Sequence, residues 1–268
     1  MIGSEFDPVS PAFAFACLAV MFVGLAKSGL GGGAAILATP LLALVFDPRA
    51  ALGILLPLLI LSDWVALWCY RRSICWEVLR PFLPGAILGI GVAAFFLGEV
   101  DDVFLRQCLG AICLGFCGLQ LLAAWRGRSD EPPRSPSWRC GFPIGAAAGW
   151  VSAVAHAAGP VAAMYLLPLR LPSTAFMATT VAAFTVINLT KLPFYLGQHL
   201  IGGESLVKTL ALAPAMLAGT FLGVWLNHRI NRVAFTRVVY VVLFFAGLEL
   251  VTGRSLVGWA WAVVTGAG

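Results

Sequence analysis

The chain has 268 residues, of which 60% are hydrophobic and only 11% are charged, and its formal net charge is +5. Soluble domains carry about 25% charged residues, so this composition excludes a soluble globular domain. A mean hydropathy of +0.94 predicts an all-α, polytopic membrane protein. In such a protein the excess of Lys and Arg mostly records how the loops are oriented, so it does not indicate a nucleic-acid partner.

The seven cysteines and three histidines of the sequence do not form a metal-binding pattern. The sequence has no CxxC pair, and no Cys/His cluster has the spacing of a zinc site. An enzyme within the membrane would need paired acids, a metal-ligand set or a nucleophile with a base. The sequence contains neither an HExxH nor a GxSxG motif. We therefore expect no metal, no cofactor and no catalytic residue.

The first half of the chain contains five apolar segments. Residues 1–6 resemble a cloning remnant and are left out of this half. The apolar segments are residues 11–26, 34–46, 50–70, 81–98 and 103–125. The first two are shorter than the roughly 20 residues that a spanning helix needs. A polar connection with three prolines follows at 126–139.

The second half repeats this plan, with apolar segments at residues 140–158, 160–169, 174–196, 206–226 and 234–252. Ordered pairs of residues also match between the halves: Gly31 and Pro40 with Gly159 and Pro168, Asp63 and Tyr70 with Asn188 and Tyr195, and Pro84 and Gly89 with Pro214 and Gly219. We interpret this order as an internal duplication. The first repeat is 7–125, a cytoplasmic linker is 126–139, and the second repeat is 140–268.

Arginine-rich loops predict the orientation of the chain. Arginines crowd residues 71–80, 126–139 and 227–232. Cytoplasmic loops collect Lys and Arg, so all three loops are expected inside the cell and the N-terminus outside. The first repeat then starts outside and the second starts inside. Inverted repeats with broken helices are typical of secondary transporters.

The stretch from Lys27 to Gly33, with the sequence KSGLGGG, predicts a break between two short helices. Glycine lowers helix stability, and exposed backbone survives within a bilayer only where protein covers it or where it lines a cavity. A similar stretch with fewer glycines runs from Ser152 to Pro160 in the second half. Small residues also allow two helices to pack closely, so a packing patch remains the alternative. The sequence leaves open whether the short segments cross the membrane or are re-entrant.

The Gly-rich break, the Pro40 that follows it and the second Gly-Pro segment at 159–160 resemble the TauE/SafE family of sulfite-exporter-like permeases, also called four-toluene-sulfonate uptake permeases. The resemblance covers about residues 13–252. It implies a carrier in the bacterial inner membrane for small sulfur-containing or organic anions. The second repeat departs from the first, because His156 stands where Ser28 aligns and the triple glycine is lacking.

An anion site requires hydrogen-bond donors and cations, and exposed backbone amides bind anions well. Ionisable groups within membrane spans are costly and usually face a cavity. These arguments select ten substrate-binding candidates: Lys27, Ser28, Gly31, Gly32, Gly33, Ser152, His156, Gly159, Asn188 and Lys191. Two alternatives remain: Lys27 could extend to the lipid headgroups, and His156 could have a structural role. A carboxylate repels an anion unless it is paired, so Asp63 is assigned to coupling or structure.

The predicted function is a secondary transporter for a small sulfur-containing anion such as sulfite, sulfoacetate or another organosulfonate. Transport is expected to be coupled to protons or to the membrane potential and to proceed by alternating access. An anion channel and a transporter of a non-sulfur organic anion are the alternatives. The expected partners are the anionic substrate and the lipid bilayer, with a homodimer as the assembly to test. The expected location is the bacterial inner membrane, as a multi-pass protein.

Overall fold

The computed structural model describes residues 10–30, 36–97, 101–125, 135–226 and 232–253, and all regular structure in these ranges is helical. The α-helices are α1 (Pro11–Leu30), α2 (Ala38–Ala43), α3 (Pro48–Tyr70), α4 (Trp76–Leu97), α5 (Asp102–Trp125), α6 (Trp138–Ala155), α7 (Ala158–Leu166), α8 (Ser173–Gly197), α9 (Gly203–Leu226) and α10 (Arg232–Thr252). Six of them, α1, α3, α4, α5, α8 and α9, are long and apolar enough to cross a membrane. The prediction of an all-α, multi-pass membrane protein is confirmed.

The outer surface of the helices carries large apolar side chains. Phe95 is 80% exposed and Leu210 is 72% exposed, and Trp68 and Trp225 also lie on the surface. Exposed apolar patches of this kind are rare on soluble proteins, but they suit contact with lipid tails. The interior, by contrast, holds several polar and charged side chains, so the fold places its costly groups away from lipid.

Helix pairs bring the two halves of the chain into contact. Helix α4 packs along α6, α1 packs along α9, α3 packs against α8, and α5 packs against α10. If α1–α5 are exchanged in order with α6–α10, the α1–α9 pair becomes the α6–α4 pair, and the α3–α8 pair becomes itself. An internal duplication produces this exchange pattern. The duplication and the opposite orientation of the halves stay predictions at this point.

Glycines allow the α4–α6 and α1–α9 pairs to approach closely. A Cβ atom added at Gly89 of α4 would collide with the backbone of Ala146 on α6. A Cβ atom added at Gly219 of α9 would likewise collide with the backbone of Met21 on α1. Small residues at helix contacts are the usual means of packing helices within a membrane, where water does not drive association. Both pairs are therefore held backbone against backbone.

The first predicted break does not begin at Lys27. Helix α1 continues through Lys27, Ser28 and Gly29 to Leu30, so this part of the prediction was wrong. Gly29 packs against the backbone of Gly223 on α9, where its missing side chain is a requirement of helix contact. Residues 31–35, which include Gly31, Gly32 and Gly33, lie outside the described residues.

The corresponding segment of the second half separates α6 from α7. Helix α6 ends at Ala155, and His156 adopts a left-handed backbone with φ 51° and ψ 26°. The His156 amide donates to the carbonyl of Ser152, which caps the helix end. Helix α7 then begins at Ala158, so Pro160 lies in its first turn, where the missing proline N–H has no intrahelical partner to lose. Helix α6 therefore ends before Gly159 and Pro160, and both of these residues belong to α7.

We predict that Gly89→Ala destabilises the protein, because the new methyl group would meet the backbone of α6. Overpacking of this kind costs about 1–3 kcal/mol. Gly91 on the same helix is the matched control, since no atom lies within 4 Å of a Cβ added there. Gly91→Ala should be neutral or stabilising by up to about 1 kcal/mol. Thermal unfolding in detergent compares the two variants, and equal melting temperatures would contradict the backbone contact.

Candidate functional site

Three charged side chains are buried in the interior. Lys27 of α1 is 3% exposed, while Asp63 of α3 and Lys191 of α8 are fully buried. No other Lys, Arg, Asp or Glu is buried among the side chains that the structure describes. A buried charge is costly unless it is paired and hydrogen-bonded, so each of these groups needs partners within the protein.

The Asp63 carboxylate connects the two halves of the chain. Its Oδ1 lies 2.7 Å from Lys27 Nζ in an ion pair. Its Oδ2 accepts a hydrogen bond of 2.7 Å from Asn188 Nδ2 on α8. Lys27 also donates to the carbonyl of Leu59, one turn earlier on α3, at 3.3 Å. One carboxylate therefore ties α1 and α8 to α3.

Lys191 lies on the other side of the interior and contacts acceptors only. Its Nζ is 3.2 Å from the carbonyl and 3.1 Å from the hydroxyl of Ser152 on α6. It is also 2.6 Å from His156 Nδ1. A lysine ammonium has three donors and no acceptor, and it finds three acceptors here. The geometry fits a charged Lys191 that holds the C-terminal end of α6.

His156 is fixed from two sides. Its Nε2 lies 3.2 Å from the carbonyl of Leu52 on α3, and its Nδ1 faces Lys191. Both contacts are satisfied when Nε2 carries the proton and Nδ1 accepts. The Tyr195 ring packs edge to face with the imidazole, with the centroids 5.8 Å apart, and its hydroxyl donates to the carbonyl of Ala153 at 2.6 Å. His156 is thus a neutral ring that joins α6, α3 and α8.

A small cavity of about 20 Å3 lies between these groups. Its polar wall consists of Lys27, Ser152, His156, Gly159 and Asn188. Its apolar wall consists of Leu59, Ala158, Phe184 and Ile187. A cavity needs about 10–15 Å3 on this measure to hold one water molecule. The site in this conformation is therefore closed around a space much smaller than a sulfonate group.

The structure brings together most of the residues that the sequence selected. Lys27, Ser152, His156, Gly159 and Asn188 line the cavity. Lys191 contacts Ser152 and His156, and Asp63 contacts Lys27 and Asn188. The glycines at 31–33 lie outside the described residues.

Ser28 is placed elsewhere. Its Oγ lies 2.7 Å from the carbonyl of Gly24 and 2.8 Å from the carbonyl of Thr220 on α9. Ser28 follows Lys27 by one residue, and adjacent residues of a helix do not face the same way. Its hydroxyl therefore belongs to the α1–α9 contact and does not line the cavity.

Sequence reasoning missed the apolar wall and one polar pair. Leu59 precedes Asp63 by four residues, and Phe184 precedes Asn188 by four, so helical spacing from the polar residues could have identified both. Ser62 and Thr220 also escaped notice, although their hydroxyls form a buried hydrogen bond of 2.9 Å between α3 and α9. Small hydroxyl residues are common in membrane helices, so their sequence signal is weak.

We predict that Lys27→Met lowers the free energy of unfolding by about 3–5 kcal/mol, because it leaves the Asp63 carboxylate buried without its cation. Adding Asp63→Asn removes the stranded charge, so the double variant should recover at least half of that loss. Chemical denaturation in detergent of both single variants and the double variant gives the coupling energy. If the losses of the two single variants add up to the loss of the double variant, Lys27 and Asp63 do not stabilise each other.

Comparison with known proteins adds one finding. A family model described as sulfite exporter TauE/SafE matches residues 16–250. Among curated proteins and among solved structures, nothing matches this chain. The matched region includes α2–α9, most of α1 and α10, and all the residues around the cavity. The chain therefore belongs to the TauE/SafE sulfite exporter family, a family of anion transporters, and is a multi-pass membrane protein.

Proposed function

We propose that this chain is a secondary transporter that binds one small sulfur-containing anion at the cavity between α1, α3, α6 and α8. Sulfite, sulfoacetate and other organosulfonates are the substrates that we consider. The observation that carries the proposal is a buried excess of cations. Two lysines and one carboxylate are buried in two hydrogen-bonded groups, one around Asp63 and one around Lys191, and both groups contribute residues to the wall of one cavity.

The donors around the cavity suit an oxyanion. Lys27, the Ser152 hydroxyl and Asn188 lie on its polar wall, and Lys191 stands directly behind Ser152 and His156. Hydrogen bonds to a charged group contribute about 1.5–3 kcal/mol each. The apolar wall has no hydrogen bonds to offer, so it suits the carbon body of an organosulfonate.

We further propose alternating access as the mechanism. A cavity of about 20 Å3 does not admit a sulfonate, so binding and release both require the surrounding helices to separate. The α4–α6 and α1–α9 pairs are held backbone to backbone and form natural rigid bodies. They would rock against the central α3–α8 pair, where side chains such as Asp63 and Asn188 make the contact. Asp63 couples this motion to a proton or to the membrane potential.

The direction of the helices supports inverted repeats. Gly53, near the start of α3, lies against Leu200, which follows the end of α8. At the other end, the amide of Cys75, which follows α3, donates a hydrogen bond to the Thr179 hydroxyl in the first part of α8. Helices α3 and α8 therefore run antiparallel, and they occupy equivalent places in the two halves. Equivalent helices of inverted repeats run in opposite directions through the membrane.

Impermeant cysteine labelling tests this topology in a variant without the seven native cysteines. Arg72 and His199 are both exposed and lie at opposite ends of the bundle. We expect Arg72→Cys to react only from the cytoplasm and His199→Cys only from outside, in the bacterial inner membrane. Labelling of both positions from the same side would contradict the inverted arrangement, and the unlabelled cysteine-free protein is the background control.

Substrate affinity tests the site itself. We predict that Lys191→Met weakens binding of sulfite or an organosulfonate by about ten- to hundredfold, since one charge-assisted hydrogen bond is lost. Lys208→Met is the matched control, because Lys208 pairs with the exposed Glu204 outside the site. Calorimetry on detergent-purified protein gives the affinities, and uptake or efflux in proteoliposomes gives the transport. Wild-type affinity in Lys191→Met would remove Lys191 from the site.

A further inference from the structure

The charge balance of the closed site can be counted residue by residue. The ion pair of Lys27 with Asp63 and the three acceptors around Lys191 fit charged side chains, so we count one positive charge on each lysine and one negative charge on Asp63. His156 adds none in the tautomer that satisfies both of its contacts, with the proton on Nε2 facing the Leu52 carbonyl and Nδ1 accepting from the Lys191 ammonium. A protonated imidazole would direct an N–H at the ammonium, which the 2.6 Å contact does not allow. The cluster therefore carries one net positive charge.

The excess charge resides on the Lys191 side. Lys27 is paired with Asp63 at 2.7 Å. Lys191 has no carboxylate partner among the described residues and contacts two oxygens of Ser152 and a nitrogen of His156. All three charged groups are buried, and the cavity beside them has room for only about one water molecule. In such surroundings a single uncompensated charge matters more than it does at a surface.

We propose that the site selects substrates by charge, taking a monoanion and rejecting a dianion of similar size. This inference rests on the proposed function and narrows its substrates: sulfoacetate, a dianion, becomes a poor substrate, and sulfite binds as hydrogensulfite. A monoanion brings the buried cluster to neutrality. A dianion reverses its sign, and a neutral molecule leaves the lysine uncompensated, and both states are costly in a buried site.

The apolar wall strengthens this selection. Leu59, Phe184 and Ile187 face the cavity opposite its donors. A second charge at the far end of a substrate, such as the carboxylate of sulfoacetate, would lie against these side chains without a hydrogen-bond donor. An alkyl group at the same place would be buried favourably. The site thus favours an alkanesulfonate over a sulfonate that carries a second acid.

The first arm of the test measures binding to the wild-type protein by calorimetry at neutral pH. Ethanesulfonate is the monoanion, sulfoacetate and sulfate are the dianions, and ethyl methyl sulfone is the neutral control. We expect ethanesulfonate to bind at least about tenfold more tightly than each of the other three. Equal or tighter binding of either dianion would overturn charge selection while leaving anion binding intact. Absence of binding by these three anions and by sulfite would instead overturn the proposed function.

The second arm changes the charge of the cluster. Asp63→Asn raises its net charge from one to two, so the preference for ethanesulfonate over sulfate should fall by about tenfold or reverse. Lys27→Met with Asp63→Asn removes one charge of each sign and one donor from the cavity wall, so the affinities for ethanesulfonate and sulfate should fall together while their ratio stays at the wild-type value. This double variant also controls for loss of the ion pair, and it remains informative if the single variant does not fold. A change of preference in the double variant equal to that of Asp63→Asn would overturn the proposal.

Discussion

The hydrogen-bonded carboxylate of Asp63 is the interaction on which the interior depends. It neutralises a lysine of α1 and accepts from an asparagine of α8, so it holds three helices from both halves at one point. Bulk water does not compete for these groups, because they are buried beside a cavity with room for only about one water molecule. A second group of polar contacts, between Lys191, Ser152 and His156, lies at the same cavity.

The fold separates two kinds of helix contact. Glycines bring α4 to α6 and α1 to α9 so closely that backbone meets backbone, and such contacts do not adjust without a large shift. The central α3–α8 pair is joined by polar side chains instead, which can exchange one partner for another. On the proposed mechanism of alternating access, the site is therefore bounded by two stiff pairs and one adaptable contact.

Much of the fold and part of the site follow from the sequence. Lys27, Asp63, Asn188 and Lys191 stood out because ionisable and amide groups are rare within apolar segments. The bounds of the spans were predicted within a few residues, because polar residues mark where the apolar segments end. The direction of Ser28 and the end of α1 were not predictable in this way. Both depend on what a neighbouring helix offers, namely the carbonyl of Thr220 and the backbone of Gly223.

The apolar wall shows the limit of such reasoning most clearly. Leu59 faces the cavity, whereas Trp64, five residues later on the same helix, is 60% exposed. A membrane protein is apolar on both its inner and outer surfaces, so hydropathy alone does not tell one from the other. The inner and outer apolar residues are distinguished only by whether they lie on the same helix face as a buried polar residue such as Asp63.

The contact between Asp63 and Asn188 also bears on how such a chain could arise. On the duplication proposed above, the two residues occupy equivalent positions and touch each other across the axis that relates the halves. In a symmetric dimer of one repeat, each residue at this position would meet its own copy. Two aspartates would repel, and two asparagines would leave Lys27 without a counter-ion. Duplication of the coding sequence allows an acid and an amide to be selected separately for the same place.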